Sequence, residues 1–155
     1  MTVGEASEYI NKYFTLHPGI KKYMKDIVAF AQQNGYVETL FGRKREIPEL
    51  SSNIPAIRNA AQRAAINMPI QGTAADMLKA AMLEIAKQLP KTSPNSLMLL
   101  QIHDELVFEV PKSEENKMAK LVKTIMETIY KLEVPIEVNI STGKSWGTTK
   151  ELKIT

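Results

Sequence analysis

Two adjacent carboxylates interrupt an otherwise apolar part of the sequence, in the tripeptide His103-Asp104-Glu105. Carboxylate oxygens are the ligands that hard cations such as Mg²⁺ prefer, so this pair is a candidate metal site. Residues 106–110 have the two-residue period of a half-buried strand, and the residues before the tripeptide are mostly apolar. The tripeptide is therefore predicted to form the tip of a β-hairpin. On the local sequence alone, a solvated turn without function is the commoner explanation.

A second set of polar residues lies upstream, in a segment rich in alanine. Arg63, Asn67 and Gln71 are spaced by four residues, so each is displaced by only about 40° around a helix axis from the one before. We call these three residues the polar stripe. Their forked hydrogen-bonding groups suit the minor groove of DNA, where every base pair offers acceptors. The alternative is an exposed helix edge that binds nothing.

Composition excludes several other kinds of site. The 155 residues include no cysteine, so a disulfide scaffold, thiolate-bound zinc and a cysteine nucleophile are excluded. With only two histidines, a metal site has to be built from oxygen ligands. The net charge of +3 permits a polyanionic partner without requiring one. No apolar stretch approaches the roughly 18 residues of a membrane-spanning helix, so we expect no membrane partner.

Four helices are predicted to position these residues. The first two cover about residues 5–16 and 18–34, and the third covers residues 54–89. Pro69 lies in the middle of the third and is expected to kink or split it. The fourth follows the hairpin, with Ser113 as its N-cap.

The remaining elements are extended. Residues 36–41 read as an extended segment, and residues 134–140 alternate as a strand. Trp146, the only tryptophan, is expected to fill the core. The order of elements predicts an α+β fold, a small antiparallel sheet that contains the acidic hairpin and packs against several helices.

Three segments follow one another as they do in family A DNA polymerases. They are Gly35-Tyr-Val-Glu-Thr-Leu-Phe-Gly-Arg43, Asn67-Met-Pro-Ile-Gln-Gly-Thr-Ala-Ala-Asp76 and Gln101-Ile-His-Asp-Glu-Leu-Val-Phe-Glu109. From about residue 6 to residue 146, the chain resembles the C-terminal part of a bacterial member of that family.

The resemblance implies a single partial polymerase domain over residues 1–155. Residues of about 5–34 would be the last helices of the fingers, and residues of about 35–155 would belong to the palm. It also implies a DNA-directed DNA polymerase that transfers nucleotides by a two-metal mechanism.

Roles at the hairpin follow from the same resemblance. Asp104 would be a catalytic residue and a ligand of Mg²⁺, with Mn²⁺ as the alternative ion. Glu105 would be the adjacent catalytic carboxylate, in a supporting role. His103 would lie beside the primer terminus, and Gln101 would join it in contacting DNA.

The resemblance likewise assigns the polar stripe to the minor groove of template and primer near the growing end. Arg43, which belongs to the basic sequence Arg43-Lys44-Arg45, is a weaker DNA-binding candidate that would contact phosphate. A solvated basic turn explains that sequence equally well.

Parts of the family pattern have no match in this chain, namely the other metal-binding aspartate and the helix that grips the triphosphate. We therefore expect the isolated chain to be inactive. Its expected partners are primer-template DNA and deoxynucleoside triphosphates in the complete enzyme, together with a complementary polymerase fragment. The expected location is the cytoplasm, at the nucleoid. Two alternatives remain: a non-catalytic DNA-binding module derived from a polymerase, and a metal-dependent nuclease whose site Asp76 or Glu109 would complete.

Overall fold

The computed structural model describes residues 1–154, which form four helices and six short strands. The helices are α1 (Val3–Leu16), α2 (Pro18–Asn34), α3 (Pro55–Thr92) and α4 (Glu115–Thr128). The strands are β1 (Tyr36–Glu38), β2 (Lys44–Glu46), β3 (Leu97–Ile102), β4 (Glu105–Glu109), β5 (Ser141–Thr142) and β6 (Lys150–Glu151). Consecutive strands form three antiparallel pairs, β1 with β2, β3 with β4 and β5 with β6. The predicted α+β class is confirmed.

The chain divides into two compact units, and the division falls within α3. We call residues 1–73 the first unit and the residues from 74 onward the second unit. No helix among residues 1–154 is long and apolar enough to cross a membrane.

In the first unit, residues in the local sequence cap the start of α1 and both ends of α2. At the start of α1, the hydroxyl of Thr2 accepts the N–H of Glu5 at 3.3 Å, and the Glu5 carboxylate accepts the N–H of Thr2 at 2.6 Å. Helix α2 begins at Pro18 and ends before Gly35, whose φ of 82° is left-handed.

The core of the first unit joins α2, the β1–β2 hairpin and the first half of α3. Its buried members are Ala31, Val37, Ile47, Leu50, Ala61, Ala65 and Met68. Helix α1 contributes no buried residue.

Helix α3 is continuous over 38 residues, so Pro69 does not split it. Proline lacks an N–H, and the carbonyl of Ala65, four residues earlier, therefore loses its usual helical donor. Buried residues lie on both sides of the proline: Ala65 and Met68 pack in the core of the first unit, and Thr73 is buried on the other side.

The second unit has a separate core between its helices and the β3–β4 hairpin. We call its five buried residues the second-unit core: Ala81, Ile85, Met118, Val122 and Ile125. Met98, Leu106 and Phe108 of the hairpin pack against it. Met98 faces Phe108 and Leu100 faces Val107 across the strands, so Leu99 is an extra residue at a β-bulge.

The predicted strand at residues 134–140 is not a strand in the structure. Its alternation is real, because Ile136, Val138 and Ile140 are partly buried and the residues between them are exposed. The backbone of Val138, however, is bound by side chains: its N–H donates to the carboxylate of Glu127 at 3.0 Å, and its carbonyl accepts from the ammonium of Lys123 at 2.6 Å. The alternation therefore reports one-sided burial without strand pairing.

The predicted cap of the fourth helix is also wrong. Helix α4 starts at Glu115, and Glu114 occupies the N-cap position without a capping side-chain hydrogen bond, so Ser113 is not the cap. The Glu114 carboxylate instead binds the connector between α3 and β3. It accepts from the hydroxyls of Ser93 at 2.6 Å and Ser96 at 3.1 Å, and from the amide of Asn95 at 2.8 Å.

Trp146 does not fill the core. It lies in a short 3₁₀ turn between β5 and β6, and it is 58% exposed. The connection between two paired strands runs over the surface, which explains the exposure.

Candidate functional site

The acidic tripeptide lies at the tip of the β3–β4 hairpin. Ile102 and Glu105 face each other as the last strand pair, so His103 and Asp104 form a two-residue turn. His103 has a φ of 53° and is the one non-glycine residue with a positive φ among those described. The left-handed conformation costs about 1–2 kcal/mol for such a residue, and this kind of strain is concentrated at functional sites.

Gln101 holds this turn in place. Its side-chain amide nitrogen donates to the carbonyl oxygen of His103 at 2.6 Å. The sequence suggested a DNA contact for Gln101 and gave no sign of this bond. A polar side chain two residues before a tight turn is the signal that could have indicated it.

The described residues do not fit a complete magnesium site. His103, Asp104 and Glu105 are all exposed at the tip. Over residues 1–154, no three His, Cys, Asp or Glu side chains come close enough together to hold a metal ion. Asp104 can therefore supply one carboxylate arm, and the other ligands that an octahedral Mg²⁺ needs are not provided here.

The same observation weighs against the nuclease alternative. Glu109 is at the opposite end of β4 from the tip, about 17 Å from Asp104 at the usual rise per residue of a strand. Asp76, on α3, belongs to no such group of three within the described part of the chain. Neither residue completes an acidic site at the tip.

The polar stripe is exposed along α3. Arg63, Asn67 and Gln71 are all exposed, whereas Ala65 and Met68 between them are buried. In the described part of the chain no hydrogen bond or ion pair engages these three side chains. Their donors are therefore available to a ligand, as the minor-groove hypothesis requires.

Arg43 has a structural role that the sequence did not reveal. Its guanidinium donates to the carbonyl of Gly72 on α3 at 3.2 Å. The N–H groups of Phe41 and Arg43 both donate to the hydroxyl of Thr39, at 3.3 and 3.2 Å. A Cβ at Gly72 would lie 2.7 Å from the Thr39 side chain, so only glycine permits this close approach.

A second bond fixes the same loop, since the N–H of Leu40 donates to the hydroxyl of Thr73 at 3.0 Å. Beyond the loop, the ammonium of Lys44 lies 4.1 Å from the ring centre of Tyr36. Hydrogen bonding to Tyr36 is the main cause that raises the pKa of Lys44. Lys44 and Arg45 are exposed and remain candidates for phosphate contacts.

The predicted site residues thus fall into two groups. The polar stripe and Arg43 belong to the first unit, where the loop of residues 39–43 is bound to α3 close to Gln71. Gln101, His103, Asp104 and Glu105 belong to the second unit and share one hairpin tip.

Comparison with known proteins gives one consistent result. The family model described as DNA polymerase family A matches residues 1–148. The chain is 51% identical over 142 residues to the DNA polymerase I of Streptococcus pneumoniae serotype 4, which covers 92% of this chain and 16% of that protein. It is 43% identical over 147 residues to the thermostable DNA polymerase I of Thermus aquaticus, covering 95% of this chain and 17% of that protein.

A solved structure is similar as well. The POL domain of Pol1 from M. smegmatis, in complex with DNA primer-template and dNTP, matches with a TM-score of 0.85 and 41% sequence identity. The match covers 88% of this chain and 24% of that chain. This chain therefore spans about a sixth of the length of these curated relatives.

Proposed function

Because the chain belongs to DNA polymerase family A, we propose that it is part of a DNA-directed DNA polymerase and contributes to template-directed nucleotidyl transfer. In this proposal, residues of about 5–34 are the last fingers helices and residues of about 35–155 are the palm portion. The observation that carries the proposal is the hairpin tip. A turn with His103 in the left-handed conformation, bound by the Gln101 side chain, presents the exposed Asp104 to solvent.

Asp104 is the proposed metal-binding and catalytic carboxylate, with Glu105 as its supporting neighbour. Bound Mg²⁺ would supply charge neutralisation for the reacting phosphates. Since the described residues offer no group of three ligands, the remaining ligands of the metal have to come from elsewhere in a complete polymerase. We therefore propose that the isolated chain does not add nucleotides.

The polar stripe is the proposed DNA contact. Its exposed amide and guanidinium donors can bind the acceptors that every base pair presents in the minor groove, so the contact is independent of sequence. A copying enzyme needs this property. His103 and Gln101 would contact the primer end from the hairpin, and Arg43 is the weakest candidate because its guanidinium also binds Gly72.

The proposed partners follow from the solved relative, which contains DNA primer-template and dNTP. Primer-template DNA and deoxynucleoside triphosphates would bind the complete enzyme, and a complementary polymerase segment would complete this chain. The proposed location is the cytoplasm, at the nucleoid.

The test is binding of primer-template DNA to the full chain at several salt concentrations. We expect measurable binding at about 50 mM salt with a negative dependence on salt. Asn67→Ala should weaken binding about two- to tenfold, the loss expected for one hydrogen bond, without changing the salt slope. Arg63→Ala should weaken binding more than Asn67→Ala does, because a hydrogen bond from a charged donor is stronger than one from a neutral amide.

Lys12→Ala is the control, because Lys12 is an exposed cation on α1 with no proposed DNA contact. It should bind as the unmodified chain does. Absence of DNA binding, or equal binding by all three variants, would overturn the proposed DNA contact.

A second candidate function, a non-catalytic DNA-binding module derived from a polymerase, is favoured by the incomplete set of metal ligands. The two candidates differ in one result. Mixing the chain with a complementary polymerase segment should restore nucleotide addition for a polymerase part and leave a pure binding module inactive.

A further inference from the structure

The sequence contains one Asn–Gly dipeptide, formed by Asn34 and Gly35. Asparagine is a thermolabile residue, because the backbone nitrogen of the next residue can attack its side-chain amide carbon. Glycine favours this attack, since it has no side chain to hinder it and its backbone is unusually free to rotate. Every other asparagine is followed by a residue with a side chain. Asn34 is therefore the asparagine that should react fastest in the unfolded chain.

The dipeptide lies where helix α2 ends. Asn34 is the last residue of α2, and Gly35 is its C-terminal cap, with a φ of 82°. Both residues are exposed, so water reaches them. A Cβ at Gly35 would meet no atom within 4 Å, so no neighbour shields the pair by close packing. Exposure alone would thus predict a reactive site.

Two hydrogen bonds oppose the reaction in the folded chain. The N–H of Gly35 donates to the carbonyl of Ala31 at 2.8 Å, so the proton that the attacking nitrogen has to lose is bound. The side-chain amide of Asn34 donates to the carbonyl of Phe30 at 2.8 Å, which directs this amide back along the helix. The helical backbone of Asn34 also has to rotate before the amide carbon can reach the next nitrogen. The C-terminal turn of α2 therefore keeps the two reacting groups apart.

We propose that Asn34–Gly35 is a covalent modification site that reacts when the C-terminal turn of α2 opens, with water as the only co-reactant. The Gly35 nitrogen forms a bond to Cγ of Asn34, the Cγ–Nδ2 bond breaks, and the Gly35 proton leaves with the amide group as ammonia. The product of this step is a cyclic succinimide. Water then cleaves one of the two bonds between the ring nitrogen and a carbonyl carbon, giving its hydroxyl to the carbon and its proton to the nitrogen. Cleavage at Cγ yields aspartate, and cleavage at the backbone carbonyl carbon yields isoaspartate.

Either product weakens the turn that protected the site. The new carboxylate places a negative charge at the C-terminal end of α2, where the helix dipole is already negative. Isoaspartate also lengthens the main chain by one methylene group immediately before Gly35. On its other side, the carbonyl of Gly35 accepts from the N–H of Ile47, a buried residue of the core of the first unit, at 3.0 Å. The modification therefore loosens the connection between α2 and the β1–β2 hairpin. No residue of the polar stripe takes part, so the site is independent of the proposed DNA contact.

The test compares the folded chain with the same chain unfolded in guanidinium chloride at the same mildly alkaline pH. Peptide mapping by mass spectrometry measures the formation of aspartate and isoaspartate at position 34 over time. We expect the folded chain to react at least about tenfold more slowly than the unfolded chain, because only the fraction with an open turn reacts.

Two valine truncations test whether the turn controls the rate. Val37 is fully buried on β1, two residues after Gly35, so Val37→Ala should open the turn more often and speed the reaction of the folded chain by about threefold or more. Val122→Ala is the matched control: Val122 is 4% exposed in the second-unit core, and this variant should react as the unmodified chain does. In guanidinium chloride all three chains should react equally, because their Asn–Gly dipeptide is the same.

Urea unfolding measures the effect of the product. Asn34→Asp has the charge of the product without the longer main chain, and it should unfold at a lower urea concentration than the unmodified chain. A sample aged to isoaspartate should unfold at a lower concentration still.

Equal reaction rates in the folded and unfolded chains would overturn the proposal, because the turn would then give no protection. Equal acceleration by the two valine variants would show that the reaction proceeds through unfolding of the whole chain, which would overturn control by the turn. If neither product forms in the unfolded chain, the modification site itself is refuted. Unfolding midpoints that do not move would refute the weakening of the turn.

Discussion

The side-chain amide of Gln101 donates a hydrogen bond to the carbonyl of His103 across 2.6 Å, inside the turn that presents Asp104. This bond helps to stabilise the left-handed conformation of His103, since a strained turn persists only where its surroundings stabilise it. The position of the Asp104 carboxylate therefore depends on Gln101 and His103.

Replacing His103 tests the strain directly. His103→Gly relieves about 1–2 kcal/mol of strain and adds about 0.5–1 kcal/mol of chain entropy cost, so the free energy of unfolding should stay the same or rise by up to about 1.5 kcal/mol. His103→Val should lower the free energy of unfolding by about 1–3 kcal/mol, because a β-branched residue is a true outlier at positive φ. Urea unfolding of both variants measures the difference. Identical midpoints would show that the turn relaxes freely.

Gly72 should tolerate no side chain. A Cβ there would lie 2.7 Å from the Thr39 side chain and 3.1 Å from the Arg43 guanidinium, so Gly72→Ala should destabilise the chain by about 1–3 kcal/mol. The control is Gly19→Ala in α2, where nothing lies within 4 Å and stability should rise by up to about 1 kcal/mol. Denaturation midpoints that move in the same direction for both variants would contradict the packing argument.

Because of Glu114, the free energy of unfolding should depend on pH. Hydrogen bonds from Ser93 and then Asn95 hold its pKa below the usual 4.5. The ionised carboxylate is thus favoured in the folded chain. Its contribution to the free energy of unfolding is present above about pH 4.5 and is lost as the pH falls through the lowered pKa. Glu114→Gln should be less stable than the unmodified chain near pH 7, and the gap should close below pH 4.5.

Urea unfolding across this pH range measures the gap, with Glu137→Gln, which removes an exposed carboxylate, as the control. Other carboxylates titrate in all three proteins and cancel in the comparison. A gap that stays constant with pH would show that the hydrogen bonds do not depend on the charge of Glu114.

The sequence predicted the helices and the acidic turn because these depend on local patterns. The end of α2 at Gly35 and the turn at residues 103–104 are both marked by their own residues. The segment at residues 134–140 was predicted wrongly because alternation records which side is buried and not which groups bind the backbone. The side chains of Lys123 and Glu127, more than ten residues away, bind the backbone groups of Val138 that a neighbouring strand would otherwise bind.

The candidate site shows the same limit. The exposure of the polar stripe follows from its spacing by four on one helix. The bond from Arg43 to Gly72 joins residues 29 apart and depends on the fold of the first unit, so no local pattern contains it. The roles of the site residues in catalysis and DNA binding stay predictions.

Asp104 provides the decisive test of the catalytic assignment. In a complete polymerase such as that of Streptococcus pneumoniae, the substitution that corresponds to Asp104→Asn removes one charged ligand arm and leaves the shape of the turn unchanged. Nucleotide addition should fall by at least about a hundredfold, the loss typical of one electrostatic group at a reacting centre. Affinity for primer-template DNA should change by less than about threefold, because the polar stripe is intact. The matched control is Glu109→Gln at the other end of β4, which should keep both properties. Retained activity in the Asp104 variant would remove this carboxylate from the metal site, and lost DNA affinity would show that it acts in binding instead.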